Sequence, residues 1–394
     1  MNADRQDFFR RCAALHGLPR GKQHHAARRL LRMRHLNEMH AFDGLKKCRE
    51  FADATPTTVL DLSAQFDPFR SLGCEPALVR NVSSSRERIR LACDFGPVRR
   101  MHQTAVARII RYLHPPLGSQ YLLNGGMPMA LGAIEAAISA GATHSCELDF
   151  VDFYGSVRAD DLAEVMRPLP RSVTEHVVWD TRMREGDLFT YSSASCPSPT
   201  PETPNGLYPG SAVSPVVGEV LIARLLEAAQ LPGIITYADN LCVLGRSEKE
   251  VAARIDQLRR VIDDPPFVCV SGLRLRENEV RNVIEPDRPS VFGVEFANHQ
   301  SVVGNSVEGT GRITGWKPTP TKLAQFQISA ADYVTVGDLN RAISKVSNWR
   351  RYYSNWPDGD LLETEDLAAL KARRFTLSPS PEHKSSAIAA VSVD

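Results

Sequence analysis

The sequence predicts an α+β fold, a small sheet carrying its helices on one face. Three observations predict it. A buried strand pattern, Ser145-Cys146-Glu147-Leu148-Asp149-Phe150, follows a helix from Ala130 to Ala140 that Gly141 closes. Two apolar strands, Ile234 to Tyr237 and Leu241 to Leu244, flank the polar turn Ala238-Asp239-Asn240, which is a hairpin signal. After them, Ser247-Glu248-Lys249-Glu250 forms a capping box, and Val251, Ile255, Leu258 and Ile262 recur at helical spacing. With a strand at Phe267 to Val270, the order becomes strand, helix, helix, hairpin, helix, strand.

The other elements follow in chain order. Residues 1–55 read as a basic helical extension, split into two helices by Gly17 and Pro19. From about Thr58 to Phe95 the apolar runs are short and β-like, interrupted by Asn81-Val82-Ser83-Ser84-Ser85. Thr104 to Ile110 reads as helix, ending before Pro115-Pro116. The stretch 195–205, rich in Pro and Ser, suits an exposed loop rather than helix or strand. Val213 to Ala229 is a helix. A Gly272 turn and a second hairpin through Val291-Phe292-Gly293-Val294 complete the sheet unit, and Thr319 to Trp356 reads as helical. Residues 376–394, rich in Ser, Pro and Ala, have the composition of a disordered tail.

Composition narrows the class. The chain has 394 residues, 43% of them hydrophobic, enough for a sizeable core and two or three packed units. Lys and Arg number 47 against 46 acids, so net charge does not call for a polyanionic partner. The basic residues instead cluster at Arg5 to Arg34, Arg86 to Arg111 and Arg341 to Arg351, a distribution suited to a groove that follows a phosphate backbone. Eight scattered cysteines lack metal-site spacing and suit free thiols in a reducing cytoplasm. No apolar run is long enough for a membrane span. The pair His24-His25, with His35 and His40, has no cysteine or acidic partners and reads as surface on a basic helix that binds RNA or another subunit.

The chemistry rests on two carboxylates. Nucleotidyl transfer uses two divalent cations roughly 3.5–4 Å apart, one at the attacking hydroxyl and one at the leaving pyrophosphate. Mg²⁺ takes oxygen ligands, commonly one or two carboxylates completed by phosphates and water. An Asp at a strand end facing an Asp at a hairpin tip meets that need. Asp149 and Asp239 occupy such positions.

Around these two residues the sequence resembles the reverse transcriptases. Leu148-Asp149-Phe150-Val151-Asp152-Phe153-Tyr154-Gly155-Ser156-Val157 is similar to their first palm motif. Gly206-Leu207-Tyr208-Pro209-Gly210-Ser211 is similar to the second, and Tyr237-Ala238-Asp239-Asn240 to the Tyr-x-Asp-Asp box. Arg88 to Phe95 resembles the fingers strands. Gly272-Leu273-Arg274-Leu275 and Val291-Phe292-Gly293 resemble the last palm motifs, and Leu339 to Tyr353 the thumb of bacterial members. The resemblance spans roughly residues 60–356, with the motifs in family order.

It implies a right-hand polymerase with fingers (56–145), a ferredoxin-like palm (146–300) and a helical thumb (301–375). Asp149 and Asp239, with the Phe150 carbonyl, would hold two Mg²⁺ ions, or Mn²⁺ in their place, and Asn240 would complete the catalytic set. Arg90 would grip the triphosphate, while Asp152, Phe153, Tyr154, Pro209 and Gly210 would line the nucleotide. Tyr154 falls at the steric gate that excludes a ribose 2′-hydroxyl. Gly210 would let the backbone approach template and primer, which Tyr237, Gly293, Trp349 and Tyr352 would also contact. The implied partners are dNTPs, an RNA template (a dedicated non-coding RNA fits), the DNA product, and a partner protein or second copy. The implied setting is a cytoplasmic antiphage-defence or retron-like system.

The sequence departs from the family at two points. Asn240 replaces the second Asp of the box, removing a charge beside the metals. Pro209 stands where the family has Gln, removing an amide side chain and a backbone donor. Two alternatives stay open: a template-independent or protein-primed DNA polymerase, and an RNA-binding subunit whose chemistry has decayed.

Overall fold

The computed structural model describes residues 2–33, 39, 42–45, 55–64, 77–85, 88–158, 162–179, 188–190, 206–263, 274–283, 292, 294–303, 306–318 and 347. The Pro-rich stretch 195–205, the strand at Phe267 to Val270, Gly272, Gly293, the helical region from Thr319 with Trp349 and Tyr352, and the tail 376–394 lie outside the described residues. The chain divides into two compact units: 1–130 with 146–243 and 249–280, and 131–145 with 244–248 and 281–394.

In the first unit, α1 (Asn2–His16) and α2 (Arg20–Leu31) are separated at Gly17 and Pro19, as the sequence predicts. Both helices bear on α4 (Pro97–Leu113). Cys12 and Leu15 from α1, and Ala27, Leu30 and Leu31 from α2, are buried in one core with Val106, Ile109, Ile110 and Leu113. Pro97 begins α4 because a first-turn N–H has no helical partner to lose. The helix starts earlier than the predicted Thr104 because Arg99, His102 and Gln103 are polar yet buried, so apolar spacing does not mark its first two turns.

Between α2 and α4 the structure corrects one expectation. Pro56–Ala64 is a helix, α3, not a β-like run. The β-branched residues Thr57, Thr58 and Val59 favour strand, but capping wins. The Thr55 hydroxyl accepts the Thr58 N–H at 3.2 Å, and Pro56 sits at the first helical position. Val59 then packs with Leu45, Met101 and Ala105. Asn81 to Ser85 do not interrupt the following strand but form its end. β1 (Ala77–Ser85) pairs antiparallel with β2 (Arg88–Phe95), Val82 opposite Arg90, and parallel with the short β4 (Leu188–Thr190).

The second sheet contains β3 (His144–Phe150), β5 (Ile235–Tyr237), β6 (Asn240–Gly245) and β7 (Leu275–Glu277) in the spatial order β5-β6-β3-β7, with β8 (Arg281–Asn282) also pairing β3. Labelled by sequence among the first four, that order is 2-3-1-4. The helix α7 (Ser214–Ala228) lies in sequence between the first and second of these strands, and α8 (Glu248–Asp263) between the third and fourth. This β-α-β-β-α-β order is a split β-α-β arrangement, and the fold is α+β. Val251, Ile255 and Leu258 of α8 are buried, as their spacing predicts.

The helix α5 (Met127–Ser139) precedes β3. It ends where Gly141 adopts φ +102°, a conformation that favours glycine. In the second unit β9 (Val294–Val303) and β10 (Ser306–Pro318) form an antiparallel ladder. The expectation of a helical segment from residue 301 is therefore overturned for 301–318. Between the strands the sequence reads Gly304-Asn305, a pair typical of two-residue hairpins, and Val302, Val303 and Val307 favour extended chain.

If the Thr55 cap decides helix over strand in α3, Thr55→Ala should lower stability by about 1 kcal/mol. Thr55→Ser or Thr55→Asp should retain it. Urea unfolding midpoints check this, and an alanine variant as stable as the parent would remove capping as the cause.

Candidate metal and nucleotide site

Alternation along β3 places Leu148 and Phe150 in the core, 0% and 2% exposed, and leaves Asp149 half-buried on the other face. Asp239 reaches the same sheet by a different route. Tyr237 pairs with Asn240, so the turn contains only Ala238 and Asp239, and Ala238 is held at φ +55°. A non-glycine residue there is uncommon, and tight turns are one place where such conformations are found. Asp239 is half-buried at the start of β6, the strand beside β3. The far end of β6 meets the start of β3, since Thr143 N–H donates to Gly245 C=O at 2.9 Å. The two strands therefore run in opposite directions, and Asn240 lies toward the Phe150 end of β3.

Each carboxylate has a neighbour that the sequence reading did not name or assigned otherwise. Asp149 lies opposite Arg276 in the β3–β7 ladder, and the Arg276 Nη1 is 3.7 Å from its Oδ2. The Asn240 amide donates to Asp239 Oδ1 at 3.5 Å. No cluster of three or more His, Cys, Asp or Glu side chains suited to a metal occurs among the described residues. The donors at hand are two partly exposed carboxylates and the Phe150 backbone. That set fits a hard divalent cation whose remaining ligands come from substrate phosphates and water.

Residues 152–156 form the wall beside these acids. Asp152 takes a left-handed conformation (φ 48°, ψ 51°) ahead of the single turn α6 (Phe153–Ser156). Its carbonyl accepts both the N–H and the hydroxyl of Ser156 at 2.9 Å. Its carboxylate lies so close over Gly155 that a Cβ there would collide with it. Phe153 is buried, 5.3 Å from the Phe150 ring and 5.4 Å from that of Tyr154. Tyr154 is half-buried against α7. A Cβ at Gly218 would meet Phe153 Cε1 at 2.9 Å and Tyr154 Cε1 at 3.5 Å, so this glycine makes room for both rings. Burial, then the charges of Asp239 and Glu219, push the Tyr154 hydroxyl above the ordinary phenol range. Tyr154 thus stands within electrostatic reach of Asp239.

The loop of the second motif is tied down on both sides. Leu207 N–H donates to Tyr154 C=O at 2.8 Å, and Gly206 passes so close to that carbonyl that any Cβ would overlap it. Cys93 N–H of β2 donates to Pro209 C=O at 2.7 Å, and Arg100 Nη1 donates to Gly210 C=O at 2.8 Å. Ala212 N–H donates to Gln103 Oε1 at 3.2 Å. Gly210 has φ +97° and faces the Cys93 carbonyl with no space for a Cβ. The close approach that this glycine permits here is to β2. Arg90 lies three residues before Cys93 in that strand. Tyr237 is half-buried beside the hairpin turn.

Sequence reasoning missed Glu219. It lies on α7, 2% exposed, and neither carboxyl oxygen has a hydrogen-bond partner among the described residues. Gln120, itself fully buried, donates to its backbone carbonyl at 2.8 Å. The Thr236 hydroxyl on β5 is also buried and without a partner among the described residues. Desolvation pushes the Glu219 carboxyl up to about 8, against a lowering pull from Arg111. The group is therefore largely neutral at pH 7. The sequence signal was present: a lone acid in Val216-Val217-Gly218-Glu219-Val220-Leu221-Ile222.

An acid whose folded-state pKa is raised keeps its proton in the folded chain to about pH 8, while the unfolded chain releases it near pH 4 to 5. Its contribution to stability therefore falls as pH rises through that window and levels off above it. Glu219→Gln, nearly isosteric and always neutral, should match the parent near pH 4.5 and melt higher at pH 8, by on the order of a few kcal/mol. Thermal melts of both proteins across pH check this, and a difference that does not change with pH would refute a buried, protonated Glu219.

No protein-family model matches the chain, and no curated protein matches its sequence.

Proposed function

We propose that this chain is an RNA-directed DNA polymerase, a reverse-transcriptase-type nucleotidyltransferase whose β5-β6-β3-β7 sheet is the palm. One observation carries the reading. Asp149 on β3 and Asp239 in the β5–β6 turn are partly exposed acids on adjacent strands, and Tyr154 is close enough to Asp239 to feel its charge. In this reading Asp149, Asp239 and the Phe150 carbonyl hold two Mg²⁺ or Mn²⁺ ions. Bound there, the ions supply Lewis-acid stabilisation to the attacking 3′-hydroxyl oxygen and to the leaving pyrophosphate.

The remaining roles belong to the chain. Arg90 binds the triphosphate, since a guanidinium fork matches phosphate oxygens. Tyr154, carried on α6 and packed against Gly218 of α7, has the ring that closes the space a ribose 2′-hydroxyl would need. The loop 206–210 supports the nucleotide and is fixed to β2 through Pro209 and Gly210. Asn240 orients Asp239 without adding a third charge. Template RNA, primer and dNTPs are the substrates in this reading.

A specific observation favours a second reading, an RNA-binding subunit without catalysis. Arg276 stands 3.7 Å from Asp149 and brings a positive charge where a metal would bind. Primer extension with labelled dNTPs and either metal separates the two. The parent should incorporate nucleotide, and the Asp149→Ala/Asp239→Ala variant should lose at least about a thousandfold in rate. Equal rates in parent and double variant would sink the metal assignment, and no incorporation by the parent would favour the second reading.

The gate makes its own prediction. Tyr154→Ala should raise ribonucleotide use relative to deoxynucleotide by roughly ten- to a hundredfold, the usual worth of steric exclusion of one small group. Unchanged kcat/KM ratios for the paired substrates would remove that role from Tyr154.

A further inference from the structure

The histidine pair His24-His25 has no part in the proposed catalysis, and α2 gives it a setting. His25, Arg28, Arg29 and Arg32 fall at i, i+3, i+4 and i+7, one face of the helix and its C-cap. All four are exposed, and together they line a cavity of about 380 Å³. That volume lies in the lower part of the range of pockets that hold small ligands. The stretch Arg20–Leu31 contains no acidic residue.

The opposite face explains why this stripe is a platform and not a loose solvated surface. Ala27, Leu30 and Leu31 are buried in the core with Ile109, Ile110 and Leu113 of α4. His24 adds a polar anchor, its Nδ1 lying 3.1 Å from the Pro168 carbonyl oxygen. Its ring meets that of His25 edge-on, with centroids 5.8 Å apart. Three guanidiniums are thus carried along about 6 Å of helix rise. The His25 ring, braced by its neighbour, offers a flat surface at one end.

We infer that the His25-Arg28-Arg29-Arg32 stripe is a binding site for the phosphodiester backbone of a single-stranded RNA. The guanidiniums pair with successive phosphates, and the His25 ring stacks on an unpaired base. The open cavity of about 380 Å³ has room for one nucleotide of the strand, and its lining carries three guanidiniums and no acid. The site shares no residue with the carboxylate cluster. It goes beyond the polymerase reading and does not depend on it, because it needs neither metal nor nucleotide.

The test uses the full chain in EDTA, with a fluorescent unstructured 20-nucleotide RNA and a DNA of matching sequence, read by anisotropy across a KCl series. Each phosphate contact on a single strand contributes about 0.7 to the slope of log Kd against log salt. Arg28→Gln/Arg29→Gln/Arg32→Gln should therefore lower that slope by about two and weaken RNA binding roughly tenfold or more at low salt. The matching triple lysine variant, which preserves charge, should keep the slope. Melting temperatures of the variants confirm that each is folded.

RNA bound at least as tightly as DNA, with the stripe-dependent slope, supports the site. A glutamine variant with the parent's slope and affinity overturns it. So does stripe-dependent binding of DNA alone, or a change in oligomeric state by light scattering with no change in RNA binding, which would make the stripe a protein contact. Loss of incorporation in Asp149→Ala/Asp239→Ala with RNA binding intact would separate this site from the polymerase reading.

Discussion

Much of the candidate site depends on one contact, the hydrogen bond from Leu207 N–H to Tyr154 C=O with Gly206 pressed against the same carbonyl. It joins the turn after β3 to the loop before α7, two segments about fifty residues apart in sequence. From Gly206 the chain runs to Pro209 and Gly210, which bond Cys93 and Arg100, and then into α7, where Gly218 accepts the rings of Phe153 and Tyr154. Three glycines are thus required by close approach, two to backbone carbonyls and one to aromatic rings. A side chain at Gly206 or Gly210 would separate the layers that hold Tyr154 beside Asp239. Backbone proximity, more than side-chain pairing, sets the geometry.

The charges within that frame differ in kind. Asp149 and Arg276 are 31% and 41% exposed, so their attraction at 3.7 Å is screened by water and is worth about 1 kcal/mol or less. A doubly charged ion, which binds oxygen directly, would displace such a pair at small cost. Glu219 is the opposite case. It is almost fully buried and its carboxyl oxygens have no hydrogen-bond partner among the described residues, so desolvation outweighs the pull of Arg111 and favours the protonated form. Two partly exposed carboxylates, Asp149 and Asp239, thus contrast with one buried acid. Burial alone raises the Glu219 carboxyl in this way.

How much of this could be read in advance follows from the physics of each signal. The hairpin around Asp239, the strand ending at Phe150 and the helices at Val213 and Glu248 were legible because period and turn chemistry agree there. The helix at Pro56 was not, since β-branched residues pointed one way and the Thr55-Pro56 cap the other. For the β9–β10 ladder the local pattern, valines around Gly304-Asn305, and position within the resemblance point in opposite directions. Glu219 and Arg276 became visible only through burial and strand register, which no local pattern encodes. The stripe on α2 is intermediate. Its charges were evident in the sequence, whereas the cavity they line and the rigid packing beneath them required the fold.

The two departures from the family pattern read differently once the hydrogen bonds are known. Proline at 209 removes a donor, but the loop uses position 209 as an acceptor, its carbonyl taking the Cys93 N–H at 2.7 Å. Proline retains that carbonyl and fixes its own φ, so it stiffens the segment leading into Gly210 and sacrifices nothing that the loop uses here. Asparagine at 240 removes a charge, but its amide reaches Asp239 as a donor, which a carboxylate could not do when ionised. A second aspartate at 240 would repel Asp239 across the same short gap whenever no metal was bound. Asn240 avoids that repulsion, and in the proposed polymerase its cost would be a weaker field for a second cation. In the polymerase reading, Pro209 and Asn240 together favour a preformed site over maximal negative charge.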